Sequence, residues 1–224
     1  MSSYREFLNT SAEIPVCGFL HTPSNPGPDS LILTHGAGAN CQAPLLIALA
    51  ESFSASDLTV LRCDLPFRQE RPHGPPIRSA ERDQAGLRAA VTAMRRQASG
   101  GETASRIFLG GHSYGGRQAS MLAASEPGLV DALLLLSYPL HPPRRPEQLR
   151  TQHFPQLQTP ALFVSGVRDG FGSLAEMEAA LKLIPARTEL MSIPSAGHEL
   201  LSKRNRDELP TQVVAAFLSF ARQS

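Results

Sequence analysis

With 224 residues, 42% of them hydrophobic and 18% charged, the chain has the composition of one globular domain and not of a disordered tract. A formal net charge of +1 excludes the broad basic field that nucleic acid or an anionic membrane usually requires. Three dispersed cysteines suggest neither a disulfide framework nor a zinc site, and MSSYREFLNTSAEIPV lacks an apolar signal-like core, so a cytoplasmic protein with reduced thiols is expected.

In chain order, EIPVCGFLHTP (13–23) reads as an edge strand or hairpin. LILTHG (31–36) is a strand, followed by a helix with Leu45, Leu49 and Phe53 four residues apart. TVLRCD (59–64) is the next strand, and Leu87, Ala90, Val91 and Met94 mark a second helix. RIFLGG (106–111) leads through a glycine-rich turn into a helix-compatible run. ALLLLSYP (132–139), ALFVSG (161–166) and ELMSIP (189–194) complete the strands. A capping box of Ser173 with Glu176 opens a helix striped by Leu174, Met177, Leu181 and Ile184. Leu209, Val213, Phe217 and Phe220 stripe a last one. Most strands are apolar at successive positions, as in a parallel sheet covered on both faces. The alternation predicts an α/β fold. Two Pro-rich segments, 66–78 and 139–160, are expected to be irregular loops at the carboxyl edge of the sheet, where ligands bind.

Gly111, His112, Ser113, Tyr114 and Gly115 fit G-x-S-x-G between a strand and a helix. A serine hydroxyl is a weak nucleophile until a base takes its proton, and the base needs an acid to fix its tautomer. That architecture predicts serine, acid and histidine in chain order. Asp169 follows the strand ALFVSG and His198 follows ELMSIP, each in a glycine-containing loop. An oxyanion site needs two donors. The Tyr114 amide, next to Ser113, is one candidate; the Ala37 amide in HGAGAN is the second, with Gly38 beside it. Gly36 and Gly38 also fit half of a dinucleotide fingerprint, but Cys41 stands where its third glycine belongs.

HGAGAN, GGHSYGG, SGVRDGFG and PSAGHEL together resemble the four active-site loops of the α/β-hydrolases, in the superfamily's order. GGHSYGGR with LSYPLHPP and RDGFG is similar to the small capless branch related to dienelactone hydrolases and testis-expressed-protein-like α/β-hydrolase domains. The resemblance implies a mostly parallel sheet of six to eight strands with helices on both faces and no large cap. It also implies Ser113 as nucleophile, His198 as base and then acid, and Asp169 as its orienting partner. Dienelactone hydrolases carry a cysteine nucleophile, so their lactone substrate does not transfer to Ser113. The connection 139–160 is too short and too Pro-rich for a helical cap.

Arg68, Arg71 and Arg78 in one loop, with Arg144 and Arg145 in the other, either grip an anionic substrate group or are solvated loop charges. Tyr138 and Phe171 either line an acyl pocket or pack in the interior. His112 reads as a packing residue and His35 as a support of the oxyanion loop. No metal spacing is present among the seven histidines, and no cofactor is expected. The expected activity is hydrolysis of a small-molecule carboxylic ester or thioester through an acyl-enzyme, with no nucleic-acid or membrane partner and with monomer or dimer left open. Amide hydrolysis or acyl transfer on the same residues, and a non-catalytic interaction module of the same fold, are the alternatives.

Overall fold

The computed structural model describes residues 3–77, 80–98 and 106–223. Eight strands form one sheet: β1 (Ser3–Asn9), β2 (Val16–Thr22), β3 (Ser30–Thr34), β4 (Thr59–Cys63), β5 (Ile107–His112), β6 (Ala132–Leu136), β7 (Ala161–Gly166) and β8 (Thr188–Ile193). Their spatial order is β1-β2-β4-β3-β5-β6-β7-β8. The β1–β2 hairpin joins β4 antiparallel, and every other neighbouring pair is parallel. From β3 the chain goes to β4 on one side and returns to β5 on the other. The crevice beyond the carboxyl ends of β3 and β5 is therefore a topological switch point, the natural ligand site of an open α/β sheet.

The helices are α1 (Pro44–Ser54), α2 (Pro66–Glu70), α3 (Ala80–Ala98), α4 (Tyr114–Ser125), α5 (Leu174–Leu181) and α6 (Leu209–Arg222). Successive strand residues point to opposite faces. Leu133, Leu135 and Phe163 pack with Leu87 and Val91 of α3, Leu122 of α4 and Met177 of α5. Leu134, Leu136, Leu162 and Val164 pack with Leu49 and Phe53 of α1 and Val213 and Phe217 of α6. That two-sided burial is why the strand sequences are apolar without alternation. Among the described residues, no helix is long and apolar enough to cross a membrane.

Several elements differ from the sequence reading. The segment 66–78 begins with a helix, α2, whose fixed-φ Pro66 at its start favours helix entry. The segment 139–160 holds one 3-10 turn, Phe154–Gln156. Helix α5 ends at Leu181, so Ile184 lies beyond it, though it is buried in the same cluster. The hairpin is completed by β1, and it is β1 that takes the sheet edge. Arg78 lies outside the described residues.

Candidate active site

Ser113 joins the end of β5 to the start of α4 with φ 50° and ψ −114°. A positive φ on a residue with a Cβ costs about 1–3 kcal/mol and persists only where the surroundings enforce it. They do so here. The Ser113 amide donates to Leu136 O of β6 (2.8 Å), and the Arg117 amide donates to Ser113 O (3.0 Å). A Cβ on Gly111 would sit 2.6 Å from Gly116 N, and one on Gly115 would sit 2.5 Å from His35 O. Only glycine lets the helix start this close to β3 and β5.

His198 Nε2 lies 2.8 Å from Ser113 Oγ, and His198 Nδ1 lies 2.9 Å and 3.0 Å from the two carboxylate oxygens of Asp169. The three sequence candidates thus form a continuous hydrogen-bonded relay. The Asp169 side chain is 3% exposed and that of His198 is 19%. Asp169 also accepts the Phe171 amide at Oδ1 (2.9 Å). The acid and histidine loops are stitched together by the Arg168 amide, which donates to Ala196 O (2.9 Å). A Cβ on Gly166 would sit 2.5 Å from Gly197 O, so their approach depends on that glycine. His112 Nε2–H donates to His198 O (2.8 Å) and holds the histidine loop from below. Burial, before any other cause, pushes His112 below the usual imidazole range.

The loop 36–39 backs onto the elbow: a methyl on Gly36 would lie 3.5 Å from Ser113 Cβ. His35 Nδ1–H donates to Gly36 O (2.8 Å), and Nε2 accepts the Leu65 amide (3.1 Å). Both contacts suit a neutral ring, and burial lowers its pKa accordingly. Arg68 corrects the reading of that residue as a substrate-gripping or solvated rim charge. It is 6% exposed, and its guanidinium donates to Ala37 O (2.7 Å), Ala39 O (2.8 Å), Arg71 O (3.1 Å) and Gly74 O (3.1 Å). Four of its five N–H donors go to backbone carbonyls, two of them in the loop 36–39. Asp83 ties this region to the elbow helix, accepting the Phe67 amide (3.1 Å) and the Tyr114 hydroxyl (2.7 Å). Tyr114 opens α4, whose N-terminal end carries the positive partial charge of the helix dipole.

A cleft of about 330 Å³ opens over Ser113, bounded by the loop 36–39, His112, Phe171, His198 and Glu199. Ala37 and Gly38 line it, and the Gly38 Cβ position faces open space. Phe171 lines it too, stacked on His198. Tyr138 does not. It is 1% exposed, its hydroxyl donates to Arg150 O (2.5 Å), and its ring packs against Phe154 and Phe163. Arg71 is exposed, donates to Pro75 O (3.4 Å), and is also absent from the cleft wall. Arg144 and Arg145 are solvent-exposed. The Cys41 and Cys63 thiols are buried, and burial raises both pKa values, that of Cys41 to about 12. Sequence reasoning missed Glu199 as a cleft residue and Arg68 as a strap. It read His112 as packing without the bond to His198. No local pattern marks any of these, since each is defined by a partner distant in sequence.

The family model described as an alpha/beta hydrolase domain matches residues 28–223. The chain belongs to that family. Its fold is similar to that of a dienelactone hydrolase from Anabaena variabilis, with TM-score 0.77 and 20% identity over 98% of each chain. It is also similar to an alpha-beta serine hydrolase homologue from Coxiella burnetii, with TM-score 0.76 and 17% identity over 95% of this chain and 96% of that one. A third similar structure is an α/β serine hydrolase without a lid from Xanthomonas campestris, with TM-score 0.72 and 16% identity over 97% and 94% of the two chains. Among the described residues, the chain has no large cap over its carboxyl edge.

Proposed function

We propose that this α/β-hydrolase cleaves a carboxylic ester or thioester through a covalent acyl-enzyme. The observation that carries the reading is the relay at a strained elbow, with Ser113 Oγ 2.8 Å from His198 Nε2 and His198 Nδ1 2.9 Å from Asp169. Ser113 Oγ attacks the carbonyl carbon as its proton passes to His198 Nε2. Asp169 accepts the Nδ1–H bond, fixing the tautomer and stabilising the imidazolium. The Ala37 and Tyr114 amides receive the negative charge on the carbonyl oxygen, each such donor being worth about 10²–10³ in rate. His198 then protonates the leaving oxygen or sulfur. Water, deprotonated by the same nitrogen, attacks the acyl carbon and returns Ser113 to its hydroxyl form.

The substrate is uncharged near its carbonyl. Glu199 is the carboxylate on the cleft wall, while Arg68, one of the arginines expected on the rim, is committed to backbone carbonyls. Among the described residues no lysine or arginine lines the cleft, so an anionic group beside Ser113 meets the Glu199 carboxylate without a cation on that wall.

The test is hydrolysis of p-nitrophenyl esters by wild type, Ser113→Ala and His198→Ala. The reading expects turnover by wild type and a loss of at least about 10³-fold in either variant. Wild-type turnover unchanged in Ser113→Ala would remove the serine mechanism.

A further inference from the structure

The Ser113 cleft has a neighbour beyond Glu199. Gly36, Ala39, His112 and Glu199 border it on one side and also border a neighbouring hollow of about 240 Å³, which reaches Pro44 and Leu201. Pro44 and Leu201 in turn border an open groove of about 620 Å³ between α1 and residues 201–207. Ile47 and Ala48 of α1 form its apolar wall. Its rim carries Glu51 and Asp207 against Lys203 and Arg206, two charges of each sign, so the groove presents no net field to an ion.

Three hollows with bordering residues in common adjoin one another from the relay to the outer side of α1. Each of the two end hollows is within the size range of a site for a small organic ligand, about 300–1,000 Å³. A short ester would occupy the first and leave the other two to water.

We infer that the substrate has one extended, uncharged and largely apolar arm, which leaves the carbonyl at Ser113, crosses Glu199 and lies between α1 and residues 201–207. This rests on the ester-hydrolase reading above and names the substrate class of that site. Glu199 at the crossing turns away a carboxylate carried on the arm. The balanced rim suits an arm ending in a neutral or dipolar group.

The experiment measures kcat/KM on two ester series, one lengthening the acyl arm from two to twelve carbons and one lengthening the alcohol arm over the same range. Fluorophosphonate labelling of Ser113 runs in parallel. A methylene half-buried in an open groove should raise kcat/KM about twofold, against about fourfold for full burial. The expected result is a rise along one series only, with the long-to-short ratio returning to about one in Ala48→Trp, which fills the groove. Ile47→Glu, which charges the wall without filling it, should lower the same ratio and serves if Ala48→Trp does not fold by circular dichroism. Flat responses in both series, or rises that both variants leave in place, overturn the extended arm while labelling and short-ester turnover keep the hydrolase reading. Absence of both labelling and turnover overturns that reading and the arm with it.

Discussion

The Phe171 ring lies over the His198 imidazole, with centroids 4.1 Å apart and planes 30° from parallel. The same residue donates its amide to Asp169 Oδ1, so one position holds both Asp169 and His198. Phe171→Ala keeps the amide and loses the ring. Aromatic stacking worth about 0.5–1.5 kcal/mol corresponds to a fall in kcat of roughly 2- to 13-fold. Steady-state kinetics on a short ester checks this. A change confined to KM would assign the ring to substrate contact alone.

Arg68 offers a sharper distinction. As a strap on Ala37 O and Ala39 O, it holds the loop that carries a proposed oxyanion donor. Arg68→Met should lower kcat about 10²-fold, the scale of a lost oxyanion donor, for neutral and anionic esters alike. Arg68→Lys, with one compact donor group in place of a fork, should recover only part of it. A defect limited to KM for anionic esters would return Arg68 to the role of a substrate clamp.

Gly166 sets the spacing between the acid and histidine loops. A Cβ there would meet Gly197 O at 2.5 Å and Ala196 O at 2.6 Å, both backbone atoms that yield only if a loop moves. Gly166→Ala should cost about 1–3 kcal/mol in stability, as overpacking does. Activity should fall further than the folded fraction does, since His198 shifts with its loop. Parallel urea melts and kinetics test this; equal losses would mean the relay tolerates the displacement.

Stability should also fall in acid. Burial, reinforced by the Arg62 charge, pulls His21 down to about 4, and burial with the Arg117 charge does the same to His153. The unfolded chain protonates these rings near pH 6.5, whereas the folded chain resists until about pH 4. Between those values the unfolded state binds more protons, so stability drops as pH falls through that window and is unaffected by these rings above it. His35 and His112, lowered in the same direction, add to the slope. Thermal melts from pH 7.5 to 4.5 should show a falling Tm below about pH 6.5, shallower in His153→Gln. A flat Tm would contradict the buried neutral histidines.

Much of this was legible in the sequence because it is written locally. Strand hydrophobicity, the capping box at Ser173 and the glycines around Ser113 each state their geometry within a few residues. Asp169 and His198 could be proposed because each follows a strand in a glycine-containing loop, in the order serine, acid, histidine, and the structure brings both into hydrogen-bonding reach of one another. Arg68 was misread, and Tyr138 left open between pocket and packing, for a common reason. Both follow strands at the carboxyl edge, where position suggests the ligand site, but neither residue's neighbours reveal which way its side chain turns. Tyr138 turns inward against Phe154 and Phe163, and Arg68 turns toward carbonyls about 30 residues earlier. Glu199 is adjacent in sequence to His198, yet its place on the cleft wall depends on where the loop 36–39 lies.

Whether Ser113 is the nucleophile is decided by the site of covalent capture. Wild-type protein is incubated with a fluorophosphonate, digested and mapped by mass spectrometry, with Ser113→Ala and His198→Ala treated alike. The expected outcome is one adduct on Ser113, none in Ser113→Ala, and strongly slowed capture in His198→Ala. An adduct on another residue, or equal labelling of wild type and Ser113→Ala, would contradict it.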